Sequence, residues 1–344
     1  MKNIYDFTLE QLGDEMESLG QKRYRATQLF IWLYKKKATS FDEMSDVAKS
    51  FRDVLKEKYY IYIPKITQKQ VAQDGTVKLL VEMQDGINVE TVLMPYDYGN
   101  SICVSSQVGC AMGCKFCASG LLKRQRSLSA GEMLGQVLAM EQALPTKTVT
   151  HIVVMGIGEP FDNYENVLDF IRIANNPKGL EIGARHISVS TCGIVPKILD
   201  YANEGLQVNL AISLHAPNNE IRNTLMPINK TYPLEVLIPA VKEYEKITDR
   251  RVTFEYIMLK GVNDSLEQAE ELAKLVQGMN AYVNLIPYNK VGESPFERTS
   301  NNQVHLFADY LKKCGVGVTI RKEFGDDIAA ACGQLRAKKE GIIK

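Results

Sequence analysis

The sequence predicts an α/β protein built on a parallel sheet, and three observations carry that expectation. Beyond residue 100, short strand-like runs alternate six times with helical runs. Three cysteines spaced C-x3-C-x2-C lie on a glycine-containing loop just after the first of those strands. Glycine and polar signals also gather at the carboxyl ends of the strands, where parallel α/β sheets collect their ligands.

Residues 1–62 read as a small helical domain, with apolar helical spacing over Leu9–Leu19, Ala26–Tyr34 and Phe51–Tyr59. Between the first two runs lies Gln21-Lys22-Arg23-Tyr24-Arg25, followed by Trp32, Tyr34 and Lys35-Lys36-Lys37. Cations interleaved with aromatics suit an RNA-binding surface that grips phosphates and stacks on bases. The alternative is a solvated helix face above core aromatics. Residues 63–98 switch to period two. The Asp74-Gly75 and Asp85-Gly86 pairs separate alternating runs, which predicts a three-stranded meander. Its last strand carries Glu90, by periodicity a polar position on a half-buried strand.

Residues 99–320 hold the alternation. Strands are expected near 101–106, 149–155, 185–190, 207–213, 252–258 and 282–286, and helices near 129–144, 163–175, 194–204, 233–247, 265–277 and 302–314. Six such units fit either an open doubly wound sheet or a partial barrel. Residues 321–344 form a C-terminal segment in which Cys332 sits between small residues.

With 344 residues, 45% hydrophobic and 24% charged, the chain has the make-up of an ordinary globular protein. The acidic start lacks an apolar signal run and no stretch reaches membrane-spanning length, so no membrane association is expected. Seven cysteines, three of them clustered, argue against a secreted disulfide framework and for the reducing cytoplasm. Lys+Arg equals Asp+Glu at 41 each, which leaves RNA contact to local patches such as Lys22, Arg23, Arg25, Lys123, Arg124 and Arg126. Nothing suggests a dimer interface, and a monomer is expected.

The decisive stretch is SICVSSQVGCAMGCKFCASGLLKRQR, residues 101–126. Cys110, Cys114 and Cys117 can fold around one compact soft-metal centre. A structural zinc takes four ligands, usually as two separated pairs, and no second C-x2-C follows. A 4Fe-4S cluster held by three cysteines leaves one iron open to another ligand. With Phe116 before the last cysteine, the motif resembles the radical S-adenosylmethionine (SAM) superfamily, in which that open iron chelates SAM.

The second barrel-type strand ends in Met155-Gly156-Ile157-Gly158-Glu159-Pro160. A dinucleotide fingerprint fails there because Phe161 occupies the third glycine position. Gly158 instead permits close backbone approach to a ligand, and Glu159 can accept hydrogen bonds from an ammonium group. Ser190, Ser213-Leu214-His215 and Asn289 fall at later strand ends. Cys192 and Cys314 read as structural.

Together these stretches resemble the RlmN/Cfr family of radical SAM RNA methyltransferases over nearly the whole chain. The matching segments are VETVLMP, CVSSQVGCAMGCKFCASG, MGIGEP, ISVSTCGIVP, ISLHAP, MPINK, EYIMLKGVND, LIPYN and GDDIAAACGQL. The resemblance implies a partial (β/α)6 barrel in which Cys110, Cys114 and Cys117 ligate a 4Fe-4S cluster. Gly158, Glu159, Ser190, Ser213, Leu214, His215 and Asn289 would contact SAM. Cys332 would carry the methyl group, Cys103 would resolve the adduct and Glu90 would act as base.

The family's targets are adenine C2 or C8, carbons too electron-poor for ordinary methyl transfer. The resemblance implies two SAM molecules per turnover. One methylates Cys332, and the other, cleaved reductively, supplies the radical that takes hydrogen from the S-methyl. After addition to the ring, Glu90 removes the ring proton, and Cys103 attacks Cys332 to free the product and leave a transient disulfide. RlmN-type members methylate C2 in the peptidyl-transferase loop of 23S rRNA and in the tRNA anticodon loop. Cfr-type members methylate C8 of the same rRNA base and confer antibiotic resistance. Pro160 after Glu159 is usual in the RlmN type, where the Cfr pattern has alanine, so C2 is expected; Phe161 departs from the leucine typical of both. A flavodoxin-type protein is the electron donor usual for the superfamily.

Overall fold

The computed structural model describes residues 1–291, 294–325 and 328. Cys332, the expected methyl carrier, lies outside the described residues.

The N-terminal region forms α1 (Leu9–Ser18), α2 (Tyr24–Phe30) and α3 (Lys49–Lys58). A capping box starts α1: Thr8 Oγ1 accepts from the Gln11 amide, and Gln11 Oε1 accepts from the Thr8 amide. The second helix was expected to reach Tyr34 in α geometry. Instead Ile31–Lys35 winds as a π-helical turn, closed by the Lys36 amide on the Ile31 carbonyl, and buries Trp32, Leu33 and Tyr34 together. Short parallel strands β1 (Lys2–Asn3) and β2 (Tyr59–Tyr60) bring the two ends of this region together. It docks on the barrel where Asp6 Oδ1 accepts from the Gly131 amide at 2.9 Å.

The meander forms as β3 (Lys65–Val71), β4 (Val77–Glu82) and β5 (Asn88–Tyr96). Both Asp-Gly turns place their glycine at positive φ, +84° for Gly75 and +82° for Gly86. The meander continues directly into β6 (Gly99–Cys103), which pairs antiparallel with β5 and parallel with a later strand, so it extends the main sheet. A short antiparallel pair, β7 (Gln107–Val108) and β8 (Arg126–Ser127), flanks the cysteine loop. The remaining strands are β9 (Val149–Val154), β10 (Ile187–Thr191), β11 (Asn209–Ser213), β12 (Val252–Met258), β13 (Ala281–Pro287) and β14 (Gly317–Ile320).

One ten-stranded sheet results, in the order β14-β13-β12-β11-β10-β9-β6-β5-β4-β3. From β6 to β14 every neighbour is parallel and follows in chain order. A doubly wound sheet reverses its strand order at a switch point; this one does not, and its unbroken progression is that of an incomplete barrel. The helices between strands are α4 (Ala130–Ala143), α5 (Tyr164–Asn175), α6 (Val195–Ala202), α7 (Asn219–Leu225), α8 (Leu234–Thr248), α9 (Leu266–Leu275) and α10 (Asn301–Lys313). The central strands are apolar because helices cover them: Val154, Val189, Ile212, Phe254 and Val283 are all inaccessible to solvent. Among the described residues no helix is long and apolar enough to cross a membrane.

Two edges, β14 and β3, remain. Residues 321–325 span the opening: the Arg321 amide donates to the Leu285 carbonyl, Phe324 packs edge-on to Tyr96 at 4.5 Å, and the Gly325 amide donates to Asp74 Oδ2 at 2.9 Å.

Beyond Cys103 the chain leaves regular pairing, and side-chain amides take over. Gln136 on α4 accepts from the Ser105 amide at 2.8 Å and donates to the Ser105 carbonyl at 2.9 Å, all of it buried. Gln136→Leu leaves both backbone groups unsatisfied, at a cost of about 1–3 kcal/mol each. A lower calorimetric unfolding temperature is the expected result.

Candidate active site

The cysteine loop is held at its base. Asn163 Nδ2 donates to the carbonyls of Ser106 (2.8 Å) and Leu128 (2.7 Å), and the Cys110 amide donates to Leu122. Gly109 sits at φ +79°, where a Cβ would lie 2.2 Å from the Lys123 carbonyl oxygen, so only glycine closes this turn. Cys110, Cys114 and Cys117 then face a cavity of about 310 Å³ at the carboxyl end of the parallel strands. Cys103, Gly158, Glu159, Ser190, Ser213, His215 and Asn289 line the same cavity. The size falls within the usual range for a small-molecule site.

Burial pushes the Cys110 thiol up to about 12 and Cys114 higher still, with the neighbouring thiols adding to the effect. Thiols in this condition ionise only when a cation binds them. Among the described residues no three His, Cys, Asp or Glu side chains converge tightly enough for a single metal ion. Three thiols on a pinned loop facing one cavity are the kind of donor set an iron–sulfur cluster takes.

Glu159 is fully buried. Its Oε1 accepts from the Phe161 amide at 3.0 Å and its Oε2 from the Cys192 amide at 2.8 Å. Desolvation still pushes its carboxyl up, against the lowering effect of these bonds. Thr191 and Cys192 also bond it, and no cationic side chain pairs with it among the described residues. Gly158, at φ +115°, admits Gln107 beside it: a Cβ would stand 2.7 Å from the Gln107 Cβ. Gln107 in turn accepts from the Glu159 amide at 3.0 Å and donates to Asp162 at 2.9 Å, joining the cysteine loop to the glycine loop.

His215 occupies the left-handed region at φ +59°, unusual outside glycine. Its Nδ1 accepts from the Ile257 amide at 3.1 Å, which makes Nε2 the protonated nitrogen, and its ring meets Phe116 edge-on at 4.7 Å. Burial, with Arg222 nearby, lowers its pKa to about 3. Ser190 and Ser213 approach to 3.4 Å across β10 and β11. Asn289 Oδ1 accepts from Arg298, which also forms a two-pronged ion pair with Glu323.

Leu214 is not among the cavity-lining residues. Its side chain packs in the main core, its amide donates to the Glu255 carbonyl and its carbonyl accepts from Arg222, so it supports the cavity wall from behind. Glu90 is absent from the lining as well. Its strand is buried on both faces from Val89 to Met94, and its carboxylate pairs with Lys78 at 2.9 Å, both side chains shielded from solvent. The register explains the pair: Leu80 faces Glu90 and Lys78 faces Val92, making Lys78 a diagonal neighbour of Glu90. Glu90 does not line the cavity, but it lies on the same strand face as Val92 and Met94, which do. Among the basic candidates, Arg23 is occupied by Asp14 and Glu17, Arg124 by Asp162, and Arg126 by Asp85 and Glu132. Lys22, Arg25 and Lys123 make no ion pair among the described residues.

Three contributors escaped the sequence reading. Nothing in the sequence around Lys78 marks it as the partner of Glu90. Arg222 lies on α7, a helix outside the six expected. Glu255 interrupts the apolar run of β12, the one signal available, and is buried in the cavity wall with Asn284 donating to it at 2.9 Å.

Residues 104–276 match the Radical SAM superfamily, and residues 2–61 match the Ribosomal RNA large subunit methyltransferase N-terminal domain. The chain is a radical SAM RNA methyltransferase. It is 54% identical to a probable dual-specificity RNA methyltransferase RlmN of Spiroplasma citri over the full length of both chains. A protein of that name from Geobacillus kaustophilus is 53% identical, over 98% of this chain and 93% of the other. The crystal structure of a radical SAM methyltransferase from Sphaerobacter thermophilus superposes with a TM-score of 0.91 at 44% identity, covering 97% of this chain and 99% of that one. The chain belongs to the RlmN family.

The histidine geometry sets a pH dependence. His215 has a folded pKa of about 3 against about 6.5 when unfolded, so between those values the unfolded chain binds the extra proton. Its contribution to stability is complete above pH 6.5 and falls by about 1.4 kcal/mol per unit as pH drops toward 3. Nitrogen-15 NMR should show a neutral, Nε2-protonated ring still present at pH 5.

Proposed function

We propose that this protein methylates C2 of an adenine in the peptidyl-transferase loop of 23S rRNA and of an adenine in the tRNA anticodon loop. The observation that carries this is the placement of Cys103 in one cavity with Cys110, Cys114, Cys117 and Glu159, beside the strap that leads to Cys332. Phe324 packs with Val92, Met94 and Cys103, so the strap runs past the Cys103 sulfur. The seven residues from Gly325 to Cys332 can reach roughly 25 Å, more than enough to return to it. Pro160 and the RlmN names of the relatives favour C2 over C8.

A 4Fe-4S cluster with SAM at its open iron supplies the one-electron chemistry that an unactivated ring carbon requires. Cys110, Cys114 and Cys117 hold the cluster. Glu159 receives the SAM ammonium, while Ser190, Ser213 and Asn289 offer hydroxyl and amide groups to its ribose, adenine and carboxylate. His215 presents an uncharged Nε2–H to the cavity wall. Cys332 would bear the methyl group, and SAM would supply both that methyl and the one-electron activation, two molecules per turnover. From the ring–CH2–S–Cys332 adduct Glu90, backed by Lys78, would take the ring proton, the surplus electron returning to the iron–sulfur centre. The Cys103 thiolate would then attack the Cys332 sulfur and break its C–S bond, leaving a Cys103–Cys332 disulfide while the freed carbon takes up a proton to become the methyl group. A cytoplasmic thiol pool reduces it again, and a flavodoxin-type donor reduces the cluster. The N-terminal domain offers RNA the unpaired Lys22 and Arg25, the latter over the exposed Tyr24 ring.

Nucleoside mass spectrometry after anaerobic reaction of protein-free rRNA and tRNA with SAM and a reductant tests this reading. It should find 2-methyladenosine in both RNAs; 8-methyladenosine in rRNA would reassign the enzyme to the Cfr type. Anaerobically purified protein should be brown with about four irons per chain. Cys332→Ala should abolish turnover, whereas Cys103→Ala should accumulate a covalent protein–RNA adduct visible on a denaturing gel. Glu90→Gln should slow product formation at least a hundredfold, and an unchanged rate would make the Lys78–Glu90 pair purely structural.

A further inference from the structure

Arg222 on α7 is the largest side chain with no exposed surface, and no carboxylate pairs with it among the described residues. Its five hydrogen bonds all go to neutral oxygens. Nε donates to the Leu214 carbonyl at 3.2 Å, and Nη2 donates to the carbonyls of Cys192 (2.8 Å) and Ser213 (3.2 Å). Nη1 donates to Asn229 Oδ1 at 2.7 Å and to the Tyr232 carbonyl at 3.4 Å. Asn229 is itself held by Asn219 and Asn223, and the Asn219 amide reaches Glu235, so the nearest carboxylate on this path is two side chains away. Gly193 lies beside the guanidinium at φ +105°, and a Cβ there would press first on the Leu237 methyl groups at 3.1 and 3.2 Å.

A buried, unpaired cation is costly unless a negative charge arrives with a ligand. The helix that carries Arg222 is joined to the cysteine loop, where the Lys115 amide donates to the Leu225 carbonyl at 3.0 Å. Three thiolates around an iron–sulfur cluster bring that negative charge. The three strand-end carbonyls that the guanidinium gathers belong to the residues framing Glu159, Ser213 and His215.

We propose that Arg222 is a positioning residue for the iron–sulfur centre, supplying the fixed positive charge against which the thiolate-ligated cluster is held and tying the SAM-facing strand ends together. The inference rests on the reading of Cys110, Cys114 and Cys117 as cluster ligands. A fixed cation favours the reduced, more negative cluster, so its removal makes reduction harder.

The test is an EPR-monitored redox titration of reconstituted protein, with SAM affinity measured alongside. Arg222→Met should lower the reduced fraction at a fixed potential about tenfold, a shift of about 59 mV for a one-electron couple. Asn229→Asp keeps the arginine but sets a carboxylate against it, and should shift the potential in the same direction. Arg222→Lys keeps the charge but not the fork, so it should hold the potential near wild type while weakening SAM binding about tenfold. Wild-type potentials in both Arg222→Met and Asn229→Asp would overturn the proposal, as would a shift in Arg222→Lys equal to that in Arg222→Met. Iron-free wild-type protein would instead sink the cluster reading, and the inference with it.

Discussion

Everything at the cavity depends on seven parallel strands paired in chain order. Because each neighbour runs the same way, every carboxyl end falls on one rim, and residues far apart in sequence converge there without long loops. Cys103 leaves β6 beside Gly158 after β9, Ser190 on β10 and Ser213 on β11. The register is kept by buried aliphatic side chains covered by the outer helices, not by anything polar in the cavity.

Where that pairing stops, amide side chains replace it. Gln136, Asn163 and Gln107 satisfy backbone groups outside the ladder, Gln136 tying Ser105 to a helix and the other two bridging separate segments. Their geometry follows from a plain constraint: buried backbone donors and acceptors need partners, and a side-chain amide offers both in one plane. The cavity is therefore stiff before any ligand enters, as a site handling reactive intermediates needs to be.

Much of this was legible in the sequence because strong local signals and the fold agreed. The six strand–helix units appear where periodicity put them, and the cysteine spacing, glycine loop and strand-end serines share one cavity. What escaped depended on contacts across long sequence separations. Lys78 and Glu90 sit on different strands and become partners only through register. Arg222 belongs to a seven-residue helix too short to read, and its partners Asn229, Cys192 and Leu214 come from other elements. The four-residue β14 follows a lysine-rich helix end that masks its pattern. Leu214 sits in a strand-end motif, yet periodicity sends its side chain to the core.

An incomplete barrel also keeps two strands with unpaired backbone groups, which are templates for joining another chain. At one border β3 leaves Lys65, Thr67, Gln68 and Lys69 exposed, and charged or polar side chains discourage a hydrophobic partner from adding there. At the other, β14 is too short to nucleate a ladder. The gap that admits residues 321–325 is thus guarded against self-association, and the molecule can keep its side open without becoming a seed for aggregation.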